Sequence, residues 1–195
     1  MEAGYLNPSF RDWLHALPPA SGSGAHWKPL SPENLVGYLE AGRQAYREHY
    51  THLWQHHDPT PYLSAHFTRE KMLCDLENTA LRHGVLVFEG EAAGIFKLDL
   101  GKDSGEFHPG QALFIEKIYL KKNCTGKGFG SALLGHLGQY ARSLGRRGLW
   151  LEAMARGQAR DFYLEQGFRF LGHAEVPYPE VLPEERAMWV LGCDL

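Results

Sequence analysis

Three glycines at alternate positions, Gly126, Gly128 and Gly130, with Lys127 among them and Ser131 directly behind, are the residues best suited to hold a charged ligand. Glycine has no side chain, so backbone N–H groups can approach a ligand closely, and a helix start adds free donors and a positive dipole end. This combination suits phosphate oxygens, and a lysine inside the loop points to a diphosphate. Two phosphate loops are disfavoured by spacing. A Walker loop ends in Gly-Lys-Ser/Thr, whereas Gly128 follows Gly126-Lys127 here and Lys121 stands where its first glycine belongs. A dinucleotide fingerprint needs a third glycine where this chain has Ser131, although Glu152 falls near the place of a ribose-binding acid. A glycine-rich turn without a ligand is the plain alternative; Lys127 and the helix behind the loop argue against it.

The elements around the loop follow from the apolar pattern. Leu113, Phe114, Ile115, Ile118, Tyr119 and Leu120 have the β-branched and aromatic content of a buried strand, interrupted by Glu116-Lys117. On an alternating strand Glu116 shares a face with Ile118 and Leu120, and a carboxylate packed there needs a partner, Lys117 or Arg82. After the loop, Leu133, Leu134, Leu137, Tyr140, Ala141 and Leu144 recur with helical period.

The strand–loop–helix segment resembles the acetyl-CoA loop of the GNAT acetyltransferase superfamily, Gln/Arg-x-x-Gly-x-Gly/Ala, with Gly128 and Gly130 on the two glycines and Thr125 replacing Gln or Arg. A second stretch, residues 159–168 (ARDFYLEQGF), resembles the family's Ala-x-x-Phe-Tyr-x-x-x-Gly-Phe. The resemblance implies a mixed α/β fold, a mostly antiparallel central sheet of about six or seven strands with helices on both faces. It implies acetyl-CoA as co-substrate and an N-acetyltransferase acting on a small-molecule or protein amine through a ternary complex. Ile118, Tyr119 and Leu120 would lie along the pantetheine, with the Leu120 N–H near the developing oxyanion. Thr125, Gly126, Lys127, Gly128, Phe129, Gly130 and Ser131 would cradle the diphosphate, and Arg156 stands where relatives often carry an asparagine that contacts the carrier. Tyr163 would protonate or hydrogen-bond the leaving thiolate, against the alternative of a core tyrosine.

An alkylammonium must lose a proton before it attacks, so a general base belongs near the acceptor. Glu116 is the first candidate and Glu152, on the neighbouring strand, the substitute. In motif the chain most resembles spermidine/spermine-type acetyltransferases, whose strand carries a Glu at the same distance from the loop, and Trp54, Tyr62 and Tyr178 would suit a cationic amine. A catalytically silent acyl-CoA-binding sensor or assembly subunit is the alternative.

The rest of the chain bounds these readings. At 195 residues and 44% hydrophobic content it can bury one sizeable core. A net charge of -3 gives no sign of a nucleic-acid surface, and no apolar run suggests a membrane span. Cys74, Cys124 and Cys193 are widely spaced, pointing to a reduced, cytoplasmic setting. Residues 1–26 read as an N-terminal extension and linker: Asn7-Pro8 capping a short helix with Phe10, Trp13, Leu14 and Leu17, then a Pro/Gly/Ser stretch over 18–24. Its apolar side is expected to dock on the single domain of residues 27–195, with docking on a second subunit the other option; a homodimer is an expectation of the resemblance. Ser31-Pro32 predicts a helix start, and residues 67–84 predict a further helix with Met72, Leu73, Leu76 and Leu81 inward. Residues 85–100 read as a hairpin, and 148–153, 168–172 and 187–191 as later strands, with a helix over 158–166. His49, His52, His56 and His57 cluster at one helix end, but lack partner ligands at metal-site spacing, so no metal is expected and a polar helix end is favoured. The resemblance, in which the loop between the first two helices borders the acceptor pocket, implies that Trp54, His56, His57 and Tyr62 touch substrate.

Overall fold

A seven-stranded sheet in the order β1-β2-β3-β4-β5-β7-β6 organises the chain. The computed structural model describes residues 9–18, 24–103, 107 and 110–195. The strands are β1 (His26–Pro29), β2 (Leu81–Phe88), β3 (Glu91–Asp99), β4 (Ala112–Leu120), β5 (Gly148–Met154), β6 (Arg169–Glu175) and β7 (Ala187–Asp194). Neighbours pair antiparallel except β4 with β5. Parallel strands need a crossover, and the helix behind the glycine loop supplies it.

The helices are α1 (Phe10–His15), α2 (Leu35–Tyr50), α3 (Thr60–His66), α4 (Arg69–Glu77), α5 (Phe129–Ser143) and α6 (Gln158–Glu165). Leu14 of α1, Leu133 and Leu137 of α5 and Tyr163 of α6 share one core with Leu113 and Ile115 of β4. Leu35 and Tyr38 of α2, Leu63 of α3 and Met72 of α4 share another with Val85 and Ile95 on the opposite face. Helices therefore cover both faces of a mixed sheet, as the pattern and the resemblance imply. Among the described residues no helix is long and apolar enough to cross a membrane.

Several boundaries differ from the sequence expectation. Ser9 caps α1 by accepting from the Asp12 N–H, while Asn7, Pro8 and residues 19–23 lie outside the described residues. α1 lies on its own chain, with the Trp13 ring tilted against Tyr140 at 4.5 Å and Leu14 1% exposed. Ser31 begins a turn rather than a helix: its N–H donates to Asn34 Oδ1, the Asn34 amide donates to the Pro29 carbonyl, and α2 starts only at Leu35. The helix over 67–84 is shorter than the apolar spacing suggests. α4 is capped by Thr68 and ends at Glu77, and Leu81 already belongs to β2, which runs through Gly84. Leu73 and Leu76 face outward; Met72 and Asp75 are the buried pair. A helical face normally buries leucine in preference to aspartate, and the exception is explained by the cations that meet Asp75.

Candidate active site

β4 and β5 pair only from Ala112↔Gly148 to Ile115↔Leu151 and then part. A bulge sits at that point. Lys97 faces Lys117, but the next residue, Leu98, faces Ile115, leaving Glu116 as the extra residue of β4. Bulges bend a strand and re-aim its side chains. This one overturns the simple alternation: Ile118 and Leu120 pack into the α5 core, whereas Glu116 turns to the α2/α4 side and meets Lys97. Past the bulge, the Lys121 N–H donates to the Ala93 carbonyl, so by alternation Ile118 and Leu120 aim their main-chain groups into the gap. The Leu120 carbonyl there accepts from His49 Nε2 at 3.0 Å.

The gap is a cavity of about 480 Å³ whose walls include Glu116, Tyr119, Glu152, Tyr163, Tyr62 and Tyr178. Glu116, the first candidate base, is half enclosed, its side chain 24% exposed, with one carboxylate oxygen 3.0 Å from Lys97 Nζ and the other on Lys117 Nζ. Arg82, the other suggested partner, instead donates to the carbonyls of Thr79 and Leu81. Burial pushes the Glu116 carboxyl up, but the two lysines outweigh it and hold it at about 2. Glu152 pairs with Lys102 at 3.3 Å. Glu175, also on the wall, has no ion-pair partner among the described residues.

Tyr163 is 9% exposed, and no described residue hydrogen-bonds its hydroxyl. Burial pushes the phenol above its ordinary range, so it stays protonated. Phe162 packs on the α5 start, where a Cβ on Gly130 would lie 3.0 Å from its ring, a tight contact that the ring would have to ease. Tyr62 and Tyr119 join their hydroxyls at 2.7 Å, and Tyr178 meets His66 Nε2 at 3.0 Å. Burial, with Lys117 nearby, pushes His66 down to about 4, leaving a neutral imidazole at pH 7. His66, Tyr50, Lys97 and Asp75 were not singled out from sequence. Lys97 left a trace, a lone charge in the apolar run Gly94-Ile-Phe-Lys-Leu98; Asp75 left none.

The glycine loop lies at the end of β4. Gly126 and Gly128 have φ of 72° and 82°, the left-handed region that L side chains resist. Ala132 is the first residue of α5 to donate back, to the Gly128 carbonyl. Among the described residues, the amides from Gly126 to Ser131 make no hydrogen bond to the chain. Residues 125–128 are exposed, so this run of unpaired donors fits an anionic diphosphate. Three of the sequence candidates contribute less than their side chains promise. Phe129 buries its ring against Phe88 and offers only its N–H. Thr125 donates its hydroxyl to the Lys122 carbonyl. Arg156 is exposed and makes no hydrogen bond or ion pair among the described residues. Trp54 is buried and donates to the Tyr46 hydroxyl, while His56 and His57 sit in a surface turn with φ of 55° and 54°. Among the described residues no group of three or more His, Cys, Asp or Glu is placed to hold a metal ion.

A sheet split between two parallel strands, with amides beyond the split that lack a partner among the described residues and a phenol within it, suits an acyl-carrier-binding transferase. The chain belongs to the acetyltransferase (GNAT) family, whose model matches residues 39–168, and is an acetyl-CoA-dependent N-acetyltransferase. It is 25% identical over 149 residues to an uncharacterized N-acetyltransferase in the pepI 3′ region of Lactobacillus delbrueckii subsp. lactis, covering 75% of this chain and 86% of that protein. Among solved structures, the PaiA N-acetyltransferase of Thermoplasma acidophilum in complex with coenzyme A superimposes with a TM-score of 0.69 at 15% identity, covering 88% of this chain and 99% of that one. A GCN5-related N-acetyltransferase from Rhodopseudomonas palustris gives 0.66 at 15% identity, covering 92% and 98%. These likenesses concern the fold; the amine has to be argued from the cavity.

Proposed function

We propose that this enzyme acetylates a compact primary amine, held in the cavity where β4 and β5 part, with Glu116 and Tyr163 acting on the two sides of the transfer. The observation that carries the reading is that the carboxylate and a phenol with no hydrogen-bond partner among the described residues line one cavity. Acetyl-CoA supplies the acetyl group as a thioester, its diphosphate suited to the amides of 126–131 and Lys127. Ile118, Tyr119 and Leu120 serve as the strand edge for its arm, with the Leu120 N–H a donor to the oxyanion. Arg156 can extend from the surface toward a phosphate.

The amine nitrogen attacks as its neutral form; a C–N bond forms, the C–S bond breaks, and the amine proton leaves through water. A carboxyl at about 2 facing an alkylammonium near 10 would accept that proton uphill by roughly 8 pH units, about 11 kcal/mol. Glu116 therefore serves as a fixed anion that orients the amine N–H or a bridging water, not as the resting proton store. Glu152 remains the second candidate for that place. Tyr163 donates a hydrogen bond to the sulfur as negative charge develops on it.

A small amine is favoured over a protein lysine by the way the cavity is roofed. Residues 51–57 and the loop after β6 are stitched together: the Gln55 N–H donates to Glu180, the Leu182 N–H donates to Leu53, and Trp54 bridges Val181. Tyr178 and His66 close the same seam. A folded protein would need an open groove there. A polyamine would find Glu175, which has no ion-pair partner among the described residues, for a second ammonium; an aromatic monoamine would rest against Tyr62 and Tyr178. Steady-state release of CoA thiol over polyamines, aromatic monoamines, lysine peptides and histone-like proteins tests the reading. Turnover confined to small amines is expected. Turnover of peptides or proteins alone would overturn the substrate class, and acetyl-CoA binding without turnover of any amine would favour the sensor.

A further inference from the structure

We infer that Lys97 and Asp75 are positioning residues for the acetyl transfer: Asp75 on α4 anchors Lys97 on β3, and Lys97 holds the Glu116 carboxylate toward the cavity. The inference rests on the reading of Glu116 above and adds two residues that touch neither amine nor acetyl carrier.

The geometry is a buried chain of polar contacts crossing the α2/α4 side of the sheet. The Tyr38 hydroxyl meets His83 Nδ1 at 2.8 Å, and His83 Nε2 lies 3.2 Å from Asp75 Oδ2. The same Asp75 oxygen is 3.0 Å from Lys97 Nζ, and Lys97 Nζ is 3.0 Å from Glu116 Oε2. Side-chain exposure is 2% for His83 and Asp75 and 7% for Lys97, against 24% for Glu116. The chain thus runs from the interior and opens at the carboxylate. The bulge makes this possible by setting two consecutive β4 residues, Glu116 and Lys117, against Lys97.

Burying such charges is expensive, and well-packed apolar residues usually fill the same space at no loss of stability. A sheet face already lined by Ile95 and Val85 had that option at Lys97 and Asp75. What an apolar pair could not do is fix a carboxylate at the lip of a cavity. With one ammonium on each oxygen, Glu116 has one orientation. Asp75 offsets the net positive charge that Lys97, Lys117 and Glu116 would otherwise leave beside the site. The groups facing Glu116 are Lys97 from β3, Lys117 from β4, Tyr62 and His66 from α3, Tyr38 from α2 and His83 from β2, with Asp75 and Lys71 of α4 behind Lys97.

The test uses the full chain and three variants, Lys97→Met, Lys97→Arg and Asp75→Asn. Folding is expected to survive, because Asp75 keeps Lys71 at 2.5 Å and Glu116 keeps Lys117. The Glu116 carboxyl is followed by carbon NMR, assigned by its loss in Glu116→Gln. In Lys97→Met its midpoint should rise by about 1–3 pH units. Turnover should fall by roughly 10- to 100-fold with the KM for acetyl-CoA unchanged, and the acid limb of kcat should move up with the midpoint. Lys97→Arg should restore the limb. Asp75→Asn should also slow turnover, but without raising the midpoint, because Lys97 then belongs to Glu116 alone. Wild-type turnover with an unmoved midpoint and pH profile in Lys97→Met would overturn the positioning role while leaving the enzyme reading intact. A wild type that turns over no amine would overturn both.

Discussion

Replacing Tyr163 by phenylalanine removes one oxygen from a side chain that is 9% exposed, and its consequences separate a catalytic phenol from a packing one. The hydroxyl has no described hydrogen-bond partner, and burial pushes its pKa above the phenol range. An ordinary phenol near 10 already lies above a thiol near 8.5. Outright proton transfer to the sulfur is therefore uphill by at least about 1.5 pH units, about 2 kcal/mol. In the role proposed for it, Tyr163 would contribute a hydrogen bond to a developing anion, worth about 1.5–3 kcal/mol, or roughly 10- to 150-fold in kcat. The ring keeps its contacts with Phe162 and Phe168, so stability should stay within about 0.5 kcal/mol of wild type. The pair of measurements is steady-state thiol release and acetyl-CoA affinity by calorimetry, with thermal unfolding as the control. Slower turnover, unchanged affinity and unchanged stability are expected. Normal turnover, or a large loss of affinity with normal turnover, would refute the reasoning, and a marked loss of stability would return Tyr163 to the core.

Two further outcomes follow from the loop and the ion cluster. Gly128→Ala places a Cβ at φ 82° and should cost about 1–2 kcal/mol; thermal unfolding should show that loss, and the KM for acetyl-CoA should rise while kcat is retained. Stability should fall on acidification from about pH 5 to 2. Glu116 and Asp75 have folded pKa values held below their unfolded ones, so their contribution is full above the unfolded values and is lost as the pH drops through the folded ones. For Glu116 the change from 4.5 to about 2 corresponds to about 3 kcal/mol. Urea unfolding at a series of pH values checks this, and Glu116→Gln should flatten the slope; an equal slope in that variant would show that Glu116 does not bear the load.

The sequence alone carried the strand–loop–helix around Gly126–Ser131 and the Phe162-Tyr163 stretch, because both are local: glycine spacing, apolar period and a lysine are visible without knowing what lies across the molecule. The same holds for the α/β class and for most strands. Local signals failed where a distant group reversed a preference. Asp75 lies on the inner face of α4 at the expense of Leu73 and Leu76 because Lys97 of β3 and His83 of β2 meet it there; only its pairing with Lys71, one turn back, is encoded within the helix. Glu116 was legible as a charge in a strand, but its direction depended on a bulge set by pairing with β3, since one extra residue flips every later side chain. The cavity itself arises only when β4 and β5 separate after Ile115 and Leu151, and its roof only when residues 51–57 bond to the loop after β6. Sequence supplied the parts that act on their own neighbours; folding decided which carboxylate and which phenol share a wall, because that is fixed by pairings between segments far apart in the chain.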